Sequence, residues 1–101
     1  MIARDFSGLV RGRIAREPEF GAALLRESVE AVLAGDVEAG KAILRDYIKA
    51  TVGFERLGEA TGGPPRRLIR MFGPRGNLRV RELFGVIGLL QREAGVRLRV
   101  G

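Results

Sequence analysis

Neither histidine nor cysteine occurs among the 101 residues, and there is no tryptophan. Without thiols there is no disulfide framework and no cysteine nucleophile. Without imidazole there is no Ser-His-Asp relay, no zinc knuckle and no His general base. A metal site would have to be built from carboxylates and carbonyls alone, so no cofactor is expected. Aromatics are scarce too, five Phe and one Tyr, which disfavours a stacking platform for single-stranded RNA. The longest apolar run, Phe84 to Leu90, is seven residues, far short of a membrane span. Met1 to Arg16 mixes both charge signs and lacks the apolar stretch of a secretory leader. The expectation from these absences is a soluble, cytoplasmic protein that is not an enzyme and has no membrane partner.

What is present is apolar bulk and arginine. Hydrophobic residues make up 46% of the chain, enough for one small core. The net charge is +6, and it is unevenly placed. Residues 1–50 hold eight basic and eight acidic side chains, whereas residues 51–101 hold ten Arg against Glu55, Glu59, Glu82 and Glu93. Arg66, Arg67, Arg70, Arg75, Arg79 and Arg81 crowd into residues 66–81 without one acid between them. Such a block is either a solvated basic face or a surface that binds phosphate. Arginine suits bidentate recognition of phosphate and guanine, but an arginine-rich codon bias would give the same excess over lysine.

The spacing predicts an all-α bundle of about five to six helices in one domain. Residues 1–50 form an N-terminal helical extension, 51–95 the core, and 96–101 a strand or tail. Phe6, Leu9, Val10 and Ile14 follow helical spacing behind Asp5, and Glu17-Pro18 breaks that helix. A second helix runs from Pro18 to Ala34, with Phe20, Leu24, Ser28 or Val29, and Val32 or Leu33 inside. Gly35 stops it and Asp36 caps a third helix, Val37 to Thr51, with Val37, Leu44, Tyr47, Ile48 and Thr51 along one side. Residues 54–61 and 64–72 follow as short helices. Asn77 is expected to cap a longer one reaching Ala94, with Leu83, Val86, Ile87 and Leu90 inside and Gly95 at its end. Phe72 and Phe84 read as core. Val96, Leu98 and Val100 alternate with Arg97 and Arg99 as a strand would.

Residues 54–73, FERLGEATGGPPRRLIRMFG, carry the chemistry. Two short helices crossing at a wide angle need a positive-φ residue in the turn, which Gly62, followed by Gly63, supplies. Gly58, four residues earlier, leaves room where the second helix crosses. Leu68 and Met71 give that helix an inner face, so its outer face presents Pro65, Arg66, Ile69 and Arg70, with Arg67 at the margin. This is the pattern of a helix-turn-helix, whose second helix would enter the major groove of double-stranded DNA; the alternative is a plain turn between two helices of a small helical protein. Arg66 and Arg70, one turn apart, are candidates for guanine contacts beside Pro65; Arg70 is otherwise a phosphate clamp. Arg67, Arg75, Asn77 and Arg79 are expected on the backbone. Thr61 either bonds a phosphate or caps its own helix. Arg56 is expected only to balance Glu55 and Glu59, an i,i+4 pair that reads as a solvated face rather than a metal site.

The same stretch, continued through Gly-Pro-Arg-Gly-Asn (73–77) to Gly95-Val96-Arg97-Leu98, resembles the Cro/phage-repressor (XRE) helix-turn-helix family. It most closely resembles the addiction-module antidote, or host-inhibition-of-growth antitoxin-like, regulators. The likeness extends upstream through Arg4-Asp5-Phe6, Pro18-Glu19-Phe20 and Gly35 to Lys41. It departs at Gly63, where an apolar residue is usual, at Arg67, where a small hydroxyl residue is, and at Leu78, where a proline is. The resemblance implies a nucleoid-associated homodimer that represses its own operon. It also implies a possible pairing with a small RelE-like toxin encoded next door.

Overall fold

The computed structural model describes residues 11–74 and 76–95. It is all-α, with six helical segments and no strand among the described residues. Helix α1 is helical over residues 11–16. It is followed by α2 (Pro18–Leu33), α3 (Val37–Ala50), α4 (Gly53–Thr61), α5 (Pro65–Met71) and α6 (Val80–Ala94). The expected Asp5 cap with Phe6, Leu9 and Val10, and the strand 96–101, lie outside the described residues.

The helix boundaries follow local chemistry. Glu17 leaves the helical region (φ −128°, ψ 88°) ahead of Pro18, which opens α2. Gly35 adopts φ +92° after α2, and the Asp36 carboxylate accepts from the Ala39 amide at 3.2 Å, capping α3. Thr51 falls just outside α3, its hydroxyl donating to the Tyr47 carbonyl at 2.7 Å.

A single apolar cluster draws Leu25 and Val29 from α2, Leu44, Tyr47 and Ile48 from α3, and Phe54 and Leu57 from α4. Leu68, Met71 and Phe72 join it from α5 and its end, and Leu83, Val86, Ile87 and Leu90 from α6. The inner sets of α5 and α6 are the expected ones. On α2 the stripe is shifted: Leu25 is fully buried and Leu33 is 58% exposed, while Phe20 sits at the edge under the Arg13 guanidinium, 4.1 Å from its ring centre. The shift arises because α2 packs on both α3 and α6, so its buried face is wider than one stripe. On α3, Val37 and Thr51 are exposed. Phe84 is 45% exposed rather than core, since α6 turns the side of Leu83 and Val86 inward. No helix among the described residues is long and apolar enough to cross a membrane.

Candidate nucleic-acid interface

The turn between α4 and α5 is built from missing side chains. Gly62 ends α4 at φ +77°, ψ 13°, a left-handed conformation that favours glycine. The Gly62 amide and, at 3.0 Å, the Gly63 amide both donate to the Gly58 carbonyl, closing the helix end. A Cβ on Gly58 would come within 2.6 Å of the Gly63 carbonyl oxygen and 3.3 Å of the Pro65 nitrogen. Any other residue there would push α5 off α4. Pro64 is extended (φ −69°, ψ 141°) and α5 begins at Pro65, one residue later than the spacing predicts. Of the two roles open to Thr61, the local one is observed: its hydroxyl donates to the Leu57 carbonyl at 2.9 Å.

Helix α5 has two faces. Leu68 and Met71 are buried, and Phe72 just after them is fully buried, its ring 6.0 Å from that of Phe54. Arg66, Arg67, Ile69 and Arg70 are exposed, and Pro65 is half-buried against Gly58. Arg67 pairs with Glu82 of α6 at 3.4 Å. Arg66 and Arg70 form no ion pair among the described residues, so they are the free cations of α5.

After α5 the chain is strapped down from α3. Arg45 donates to the Phe72 carbonyl at 3.3 Å, and Lys41 donates to the Gly76 carbonyl at 2.9 Å. Lys41 is only 2% exposed and pairs with Glu38 at 3.4 Å. Gly76 lies so close to the last turn of α5 that a Cβ would overlap the carbonyl oxygens of Arg70 and Met71. Both cations thus sit around the C-terminal end of α5, where the helix dipole favours positive charge.

This strap explains why Asn77 does not cap α6. The helix starts at Val80, with Arg79 as its cap residue and no side-chain cap. Held at Gly76 and anchored by half-buried Leu78, the chain runs on as far as Arg79 before it can turn. Asn77 and Arg79 are exposed; Arg75 lies outside the described residues. Sequence reasoning missed Lys41 and Arg45. One signal was available for Lys41, which stands three residues before Leu44 and seven before Ile48, on the inner stripe of α3.

Other charges are placed differently from expectation. Arg56 reaches across to Glu93 of α6 at 3.2 Å instead of balancing its neighbours. Exposed Glu55 and Glu59 line a shallow cleft with Gly58, Gly62, Gly63 and Pro65. No cluster of three or more potential metal ligands occurs among the described residues. Burial pushes the Tyr47 phenol above its ordinary value of 10.0, so it is neutral at physiological pH and serves packing.

No protein-family model, curated protein sequence or solved structure matches this chain, so the likeness to helix-turn-helix repressors is carried by the residues quoted above alone.

Proposed function

We propose that this chain is a sequence-specific double-stranded-DNA-binding transcriptional regulator, a homodimer that represses its own operon. Helix α5 lies in the major groove, with Arg66 and Arg70 on guanine edges next to Pro65. Arg75, Asn77 and Arg79 hold the phosphate backbone, with Arg67 as a weaker contact while Glu82 engages it. Thr61 is not needed as a contact, since its hydroxyl is satisfied within α4. The observation that carries this reading is the division of α5, with Leu68 and Met71 buried on one side and Arg66 and Arg70 exposed on the other, without an ion pair among the described residues. A role as antitoxin to a RelE-like neighbour rests on the family resemblance and is checked by co-purification with the product of an adjacent short reading frame.

Fluorescence anisotropy with a duplex from the chain's own upstream region tests the reading. Affinity should exceed that for random duplex and fall with salt, with a log–log slope of about −0.9 per neutralised phosphate. Arg70→Ala should weaken the specific duplex by about tenfold, within the range for losing a bidentate guanine contact, and the random duplex much less. Equal affinity for both duplexes would leave only a charge-driven binder or a protein-interaction module.

A further inference from the structure

Helix α5 exposes one large apolar side chain. Ile69 is 50% exposed, between Arg66 and Arg70 on the outward side, while Leu68 and Met71 are buried. A lone exposed aliphatic residue is ordinary on a protein surface. Its setting here is not. A seven-residue helix has little intrinsic stability to spare, and a β-branched residue facing solvent lowers it further. Ile69 adds nothing to the core cluster, which does not contain it. It is, however, within one turn of the exposed Arg66 and Arg70, so the three side chains form one patch.

The major groove offers one apolar feature among its donors and acceptors, the C5-methyl group of thymine. We infer that Ile69 is a specificity-determining residue that packs on a thymine methyl flanking the guanines read by Arg66 and Arg70. The inference rests on the proposed DNA-reading role and adds a base identity that arginine cannot supply. Arginine discriminates guanine through N7 and O6, whereas the thymine methyl group, the one feature that uracil lacks, is read by an apolar partner.

The test uses the full chain and a duplex enriched by it from a randomised pool, with each thymine replaced in turn by deoxyuridine. That exchange removes the methyl group and leaves base pairing intact. The native protein should lose about fourfold in affinity at one thymine per half-site, the worth of one buried methyl-sized group. Ile69→Ala, which alters both protomers, should bind the thymine duplex about as weakly as the native protein binds a duplex exchanged at that thymine in both half-sites, and should be indifferent to the exchange. Arg70→Ala should remain sensitive to it. Ile69→Val, which keeps an aliphatic surface, should retain part of the sensitivity. Indifference of the native protein to every exchange, an enriched duplex with no fixed thymine, or retained sensitivity in Ile69→Ala each overturns this inference alone. Failure to enrich any duplex overturns both it and the DNA-reading role.

Discussion

Two helix pairs in this molecule, α2–α3 and α4–α5, stop their first helix by the same device and then diverge. In each, a left-handed glycine follows the last turn, Gly35 at φ +92° and Gly62 at φ +77°. In each, the next amide reaches back five residues, Asp36 to Ala31 at 2.8 Å and Gly63 to Gly58 at 3.0 Å. After Gly35, the Asp36 cap starts a long helix, and 16- and 14-residue segments pack along each other. After Gly62, Gly63 and Pro64 intervene, and the helices have only nine and seven residues. The long pair can bury a stripe from each partner. The short pair buries less, Phe54, Leu57 and Gly58 from α4 and only Leu68 and Met71 from α5, because seven residues make barely two turns.

Helix α5 is therefore held in place by its surroundings. Leu68, Met71 and Phe72 fix it from beneath, and the long pair fixes its end through Lys41 and Arg45. The half of the sequence whose charges cancel therefore lends two cations to positioning the half whose charges do not.

The largest effect should come from crowding that end. Gly76→Ala drives a methyl group into the carbonyls of Arg70 and Met71, and should cost about 3 kcal/mol, the upper part of the overpacking range. Gly35→Ala meets open space and only the left-handed backbone penalty, about 1–2 kcal/mol. Urea unfolding of both variants measures the contrast. If Gly35→Ala proves as costly as Gly76→Ala, the close fit of the α5 end is not what distinguishes the pairs.

A smaller loss is expected for Lys41→Met, which keeps the bulk of the side chain and leaves the Gly76 carbonyl without its donor. Loss of one partner from a buried hydrogen bond costs about 1–3 kcal/mol. Arg26→Met, an exposed position on α2, should stay within about 0.5 kcal/mol. Affinity for an enriched duplex, measured where both variants are folded, should fall for Lys41→Met and not for Arg26→Met. Equal affinity in the two would mean that the strap stabilises the fold without positioning Asn77 and Arg79.

The readable parts of the sequence were those decided within one or two turns of chain. Gly62, Gly58 and the Leu68/Met71 pair follow from what a tight helical turn needs, and all stand as expected. The inner stripe of α6 was equally plain. Phe84 is core-like by residue type, yet it stands about 100° around the helix from Leu83 and is exposed. Asn77 has the right chemistry for a cap and was overruled from a distance, by Lys41 holding Gly76. Leu25 was missed because α2 faces two neighbours, and a single stripe cannot describe two contacts. Lys41 was the hardest case. A buried cation looks like a surface one until its acceptor, 35 residues away, is brought beside it.

The smallest effect tests whether charge works by place or by amount. The Arg67–Glu82 pair is 3.4 Å apart, with side chains 64% and 30% exposed, and such surface pairs contribute about 0–1 kcal/mol. Glu82→Gln should leave stability nearly unchanged while freeing Arg67 and raising the net charge from +6 to +7. A freed phosphate contact should steepen the salt dependence by about 0.9 in log–log slope and raise affinity for specific and random duplexes alike. Glu30→Gln, at an exposed position on α2 of the long pair, makes the same change in net charge away from α5. It should move the slope much less. Equal slopes in the two variants would mean that total charge, not the α5 surface, sets the affinity. A gain for Glu82→Gln confined to the specific duplex would move Arg67 from the backbone to a base.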